Sequence, residues 1–225
     1  MKYLSHSNDW PIKLSRRYSR PVVNSSRAWS GFGGKSELKK SLNLTQKSLC
    51  PYCEIEIQDV GLGSHIEHIV PKSLEPNLTF HYENLMVSCF SSGAELESSN
   101  IDPEPISCGH FKLRRFDHDL FIKPTQINCE NYFYYELDGT IVHHPDIEDL
   151  REIAKVTYTV NTLNLNCRRL KRIRENIIVE GLTIISELLN DTEALSCFIS
   201  LEFAEINNKL SSFITTRKQY FSNII

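Results

Sequence analysis

The stretch SHIEHIVPKS, residues 64–73, decides how this chain is read. The glycines before it and Pro71 within it bound a short strand carrying Ile66, Ile69 and Val70. A buried strand has no structural need for two imidazoles and a carboxylate within four positions. His65, Glu67 and His68 are therefore candidate functional residues. Strand alternation puts His65 and Glu67 on one face and His68 on the other, so Glu67 and His68 cannot be equivalent ligands of one ion.

Working outward, CPYC at residues 50–53 is a knuckle spacing that can place Cys50 and Cys53 on one metal. Two further cysteines, Cys89 and Cys108, flank the polar loop FSSGAELESSNIDPEPIS, residues 90–107. The four thiolates can close one tetrahedral structural zinc site; the alternative is four free cysteines. Cys129, Cys167 and Cys197 sit in apolar or helical contexts and read as packing residues. SELKKSLNLTQKSL (36–49) is helical, CPYCEIEIQDV leads into a short strand, and NLMVSC (84–89) is another. CGHFKLRRFDHDL, from Cys108, opens a short helix. NYFYYELDGTIV is a hairpin turning at Asp138-Gly139. Three helices follow, over residues 146–163, 167–189 and 192–214. The fold class is α+β. Three regions are expected: a basic arm at 1–35, a zinc-stabilised core at 36–125, and a hairpin with a helical region at 126–225.

The 225 residues carry seven cysteines, with no apolar run of membrane-span length and no export signal, which points to a protein of reducing cytoplasm. The net charge of −3 conceals an asymmetry. Residues 1–49 hold ten Lys/Arg against two acids, whereas residues 50–166 hold seven against nineteen. A basic arm ahead of an acidic middle suits a polyanion partner, or a solvated, mobile N-terminus. Arg168, Arg169, Lys171, Arg172 and Arg174 crowd one helix, with Leu170, Ile173, Ile177 and Ile178 as its apolar side. That basic face can track phosphates or pair with the acidic segment. No GxxxxGK[ST] phosphate loop occurs in the sequence.

CPYCE, HIEHIVPKS, ENLMVSC and CGHFK together resemble the zinc-bearing HNH, or ββα-metal, endonucleases. The similarity is greatest to the HNH subunit of Septu-type anti-phage systems, some linked to retrons, and extends downstream to LNLNCRRLKRIR (163–174). The resemblance covers about residues 36–178; Leu113 after CGHFK stands where glycine is usual. It implies a zinc-stabilised ββα core and a metal-dependent nuclease acting on DNA, or on RNA including tRNA. It assigns His68 as general base, Glu67 and His110 as ligands of a catalytic Mg²⁺ or Mn²⁺, and Asn84 as a hydrogen-bonding residue fixing His68 or the ligands. His65 is a further candidate ligand. Lys72, Lys112, Arg168, Arg169, Lys171 and Arg172 are candidate nucleic-acid contacts. The resemblance also implies a companion ABC-like ATPase, retron components as further partners, and docking through the helical region or the loop at 90–107. The competing class is a zinc-ribbon binding module without catalysis.

Overall fold

The computed structural model describes residues 1–6, 9–57, 63–90, 106–222 and 224. Strands β1 (Ser64–His68) and β2 (Leu85–Cys89) pair antiparallel, with Ser64 opposite Cys89 and His68 opposite Leu85. Every β2 residue is buried. An isolated two-stranded ribbon is marginal in water, and this one is covered by two helices. Helix α3 (Lys35–Thr45), with Leu38 and Leu42 buried, packs against both strands, and the short helix α4 (Cys108–Lys112) packs on β2. The Gln46 side chain completes the join, accepting from Val87 N at 2.6 Å and donating to Val87 O at 2.8 Å. Among the described residues, the stretch directly after the knuckle makes an isolated bridge, Leu49 to Glu56, in place of a strand.

The first 35 residues are not an extended arm. They form α1 (Ile12–Tyr18) and α2 (Ser25–Ser30), and Met1, Leu4 and Leu14 belong to the main core. The Met1 ammonium lies 2.8 Å from Glu54, the acid that follows the knuckle. Glu54 also accepts from Thr215 N and Thr215 Oγ1, so one buried carboxylate ties the knuckle to both ends of the described chain.

Strands β3 (Phe133–Tyr135) and β4 (Ile141–His143) form the expected hairpin. Gly139, at φ +77°, sits where a Cβ would stand 2.1 Å from Lys171 O. Helices α5 (Leu150–Leu163) and α6 (Arg168–Leu188) follow, α5 capped by Asp149. The third expected helix is interrupted. It runs as α7 (Thr192–Phe203), capped by Asp191, and the chain resumes as α8 (Ile214–Phe221). Asn207 and Asn208 adopt left-handed φ values, and the Ile206–Lys209 bridge turns the chain back on Lys47, which a continuous helix cannot do.

One buried cluster includes residues from Met1 through Phe213, so the boundaries at 35 and 125 fall inside a shared core. A smaller cluster joins α6, α7 and α8 around Ile185, Leu195 and Phe221. Among the described residues, no helix is long and apolar enough to cross a membrane.

Candidate functional site

The ribbon, the knuckle and α4 bring the four cysteines together. Their sulfurs all lie within 4.8 Å of one another and all four residues are buried. Cys53 Sγ and Cys89 Sγ are 3.6 Å apart, close to the ~3.8 Å edge of a tetrahedron with ~2.3 Å metal–sulfur bonds. Burial opposes ionisation of Cys50, but hydrogen bonds from Cys108, Cys53 and Cys89 hold its thiol well below the usual range. Burial and the donation to its neighbours push Cys108 up. Four buried sulfurs gathered at one point are suited to a metal such as zinc, which ionises them together. Cys129 and Cys167 are buried as packing residues, whereas Cys197 is exposed, contrary to expectation.

The second cluster lies where β1 meets α4. His65 Nδ1 sits 2.7 Å from Phe90 O, and a carbonyl can only accept, so Nδ1 carries the proton and Nε2 keeps a lone pair. That Nε2 faces Glu67 Oε2 at 3.4 Å. Two acceptors face each other there unless His65 is protonated or a cation lies between them. The His110 ring, presented by α4, is 4.1 Å from the His65 ring. Gly109 makes the room: a Cβ there would stand 2.8 Å from Glu67 Cδ, 2.8 Å from His65 Nε2 and 2.9 Å from Glu67 Oε2. Glu67 and His65 therefore border a space that any side chain at 109 would fill, with the His110 ring beside His65, and a carboxylate with two imidazoles is a donor set suited to a divalent ion. Their ligand atoms are less tightly gathered than the cysteine sulfurs, which are the one group within 4.8 Å among the described residues.

Lys112 is fully buried and its Nζ is 2.8 Å from Glu67 Oε1. Burial raises the Glu67 pKa, but the Lys112 ammonium, followed by His65, more than offsets this and holds the carboxyl down to about 2. Lys112 also donates to His68 O, so it is the counter-charge of Glu67 and not the exposed phosphate contact expected from sequence.

His68, on the opposite face of β1, packs edge-on against Trp29 with ring centroids 4.6 Å apart. Its Nε2 is 3.0 Å from Thr79 O, which fixes the proton on Nε2 and leaves Nδ1 as the basic atom. Burial, and next the Lys72 charge, lower its pKa to about 4. Asn84 lies in the 3₁₀ turn just before β2 and does not bond His68. Its amide accepts from Val70 N at 2.8 Å and donates to Val70 O at 3.0 Å and to Leu78 O at 3.3 Å. It clamps the loop that leaves β1, which holds His68 only indirectly.

Both faces of β1 open on one cleft of about 470 Å³, lined by residues that include Trp29, His65, Glu67, His68, Lys72, Gly109, His110 and Arg114. Sequence reasoning missed Trp29, which comes from the presumed arm, Gly109, whose importance is a space, and Arg114. Only Arg114 and Gly109, adjoining the CGH motif, carried a signal by position.

The basic face expected on α6 is dispersed. Arg174 turns inward and is 1 % exposed, donating to Gly139 O and Leu165 O. Lys171 pairs with Asp138 at 2.8 Å. Arg169 lies over Phe90 at 5.0 Å and reaches Ser107. Arg168 and Arg172 share a depression with Asp138 and Glu175, separate from the cleft. Most of the docking loop, residues 91–105, lies outside the described residues.

Beside this four-cysteine centre and carboxylate–imidazole cluster, the sequence is similar to two proteins named for Septu and retron systems, one of them named as an HNH endonuclease. A Septu protein PtuB of Bacillus thuringiensis is 29 % identical over 178 residues, covering 74 % of this chain and 65 % of its own length. The HNH endonuclease provisionally named for retron Vc95 of Vibrio cholerae serotype O1 biovar El Tor is 28 % identical over 167 residues, covering 73 % of this chain and 74 % of its own. No family model matches the chain.

Proposed function

We propose that this chain is a metal-dependent HNH endonuclease that hydrolyses phosphodiester bonds of nucleic acid, DNA foremost, as the effector of an anti-phage system. The observation that carries the reading is one cleft holding His65, Glu67 and His110 around the Gly109 space beside a neutral, oriented His68. In this reading β1, β2 and α4 are the ββα core, and zinc on Cys50, Cys53, Cys89 and Cys108 holds it together. An ion held by Glu67, His65 and His110 would polarise the phosphate and stabilise charge on the departing oxygen. Two imidazoles in the donor set favour Mn²⁺ over Mg²⁺, which prefers oxygen ligands.

The chain's own residues do the rest. His68 Nδ1 takes a proton from water, and the water oxygen forms a bond to phosphorus. The bond from phosphorus to the leaving oxygen breaks, and that oxygen takes a proton from solvent. Thr79 O keeps the His68 ring in the required tautomer, and the low pKa keeps it unprotonated at neutral pH. Trp29 walls the base from one side. Lys72 and Arg114, on the rim, supply positive charge to the phosphate.

The reading extends to a cytoplasmic setting, a companion ABC-like ATPase and retron components; the names of the two relatives support the Septu or retron context. The test is cleavage of plasmid DNA and total tRNA by wild type and His68→Ala, with Mn²⁺ or Mg²⁺, with and without the companion ATPase. Cleavage by wild type alone supports the nuclease, and the substrate consumed identifies the target. Silence under every condition returns the chain to a non-catalytic zinc module.

A further inference from the structure

Cations from the expected arm at 1–35 and from the helix that follows it line two hollows that neighbour the cleft. Helix α3 presents Lys35, Lys39, Lys40 and Asn43 to a second cavity of about 550 Å³, which also holds Trp29, His65 and Ile66. The cleft beside His68 shares those three residues, so the two hollows adjoin. Lys35 and Lys39 are one turn apart, ~6 Å along the helix axis. Their ammonium groups are placed by uncharged partners: Lys35 donates to Ser30 O and lies over the Trp29 ring, and Lys39 donates to Ser64 O. Beyond Trp29 the strip continues to Lys13, Arg16, Arg17 and Arg20, around Phe32, Gly33 and Gly34. Arg17 lies 4.3 Å over Phe80, and Phe80 packs on Trp29 beside His68.

The contrast with α6 is in the pairing. Among the described residues, Arg16, Arg17, Arg20, Lys35, Lys39 and Lys40 have no carboxylate within ion-pair distance, and Lys13 reaches Glu37 only at 4.0 Å. On α6, Lys171 is paired at 2.8 Å and Arg174 is buried. A chain of net charge −3 leaves these cations unneutralised next to a cleft whose proposed substrate is a polyanion.

We propose that α3 and the α1–α2 segment form the phosphate-backbone track of the substrate, with Lys35, Lys39 and Lys40 leading the strand past Trp29 to His68. This rests on the nuclease reading for its substrate class. The ligand is a phosphodiester strand, contacted through its backbone and so without sequence preference.

The experiment uses the full-length, zinc-loaded chain with fluorescein-labelled 30-base-pair duplex DNA and a stem-loop RNA of equal length, read by anisotropy at 50 and 200 mM KCl with no added Mn²⁺ or Mg²⁺ and no chelator, so that binding is seen without cleavage. Lys35→Gln/Lys39→Gln/Lys40→Gln should weaken binding at least tenfold and reduce the salt slope by about 2 to 3. Arg168→Gln/Arg172→Gln should change affinity less than twofold. A set that retains the circular dichroism melt of wild type excludes unfolding as the cause. Should the triple variant misfold, Lys40→Gln alone, at an exposed position on α3, should still lower the slope by about 1. Wild-type affinity in the α3 variants, a larger loss in the α6 variant, or no binding by wild type to either probe overturns the track. Because the readout is binding, loss of binding in α3 variants of a chain that never cleaves would sink the nuclease and keep the track. Normal binding by those variants in a chain whose cleavage depends on His68 would do the reverse.

Discussion

Adding one methyl group at Gly109 tests the site most directly. Cβ of Gly109→Ala would meet Glu67 Cδ and His65 Nε2 at 2.8 Å, against the 3.4 Å at which ordinary contact begins. One side must therefore retreat by about 0.6 Å, which is 3.4 less 2.8. Glu67 has little freedom to do so, because fully buried Lys112 holds it at 2.8 Å. Helix propensity favours alanine over glycine by ~1 kcal/mol, while overpacking costs ~1–3 kcal/mol. The net destabilisation is therefore small, up to ~2 kcal/mol, or a few degrees in melting temperature for a chain of this size. Function should suffer far more. A shift of this size at a metal-binding pair costs on the order of 10²-fold in rate. The assay is the initial rate of Mn²⁺-dependent plasmid cleavage, with Mn²⁺ affinity by titration calorimetry and a thermal melt on the same preparation. A variant that melts near wild type but loses both ion binding and cleavage is expected. Wild-type rates would show that the space over Gly109 is not where the chemistry occurs.

Two further outcomes follow from the protonation and packing of the site. His68 is held at about 4 against an ordinary 6.5, so the unfolded chain binds more protons between those values. Its contribution to stability is complete above about pH 6.5, is lost as pH falls towards 4, and reaches at most ~3 kcal/mol. The same shift puts the acid limb of cleavage near pH 4 to 5, and a pH–rate profile with its limb at 6 to 7 would remove His68 as the base. At the cysteine centre, Cys89→Ser should abolish stoichiometric zinc, measured by atomic absorption, and lower the melting temperature as a chelator does. Exposed Cys197→Ser should change neither, and equal effects from both would refute a single four-sulfur centre.

The sequence by itself carried the chemistry that is local. Knuckle spacing, strand alternation around Glu67 and the CGH start of α4 all depend on neighbours within a few positions, and short-range geometry is set by the backbone period. The existence of two short strands at β1 and β2 and the Asp138-Gly139 turn were legible for the same reason, whereas the pairing of those strands was not. What only the tertiary structure decided is where long, flexible or buried charges end up. Lys112 and Arg174 look like surface cations in sequence, yet each is drawn inside by a specific partner, Glu67 in one case and the carbonyls of Gly139 and Leu165 in the other. The basic charge of the arm suited a polyanion partner or a solvated N-terminus, but Leu14 and Trp29 meet surfaces contributed by residues far along the chain. Burial of a charge is repaid only when a partner is in place, and partners separated by dozens of residues are set by the fold as a whole.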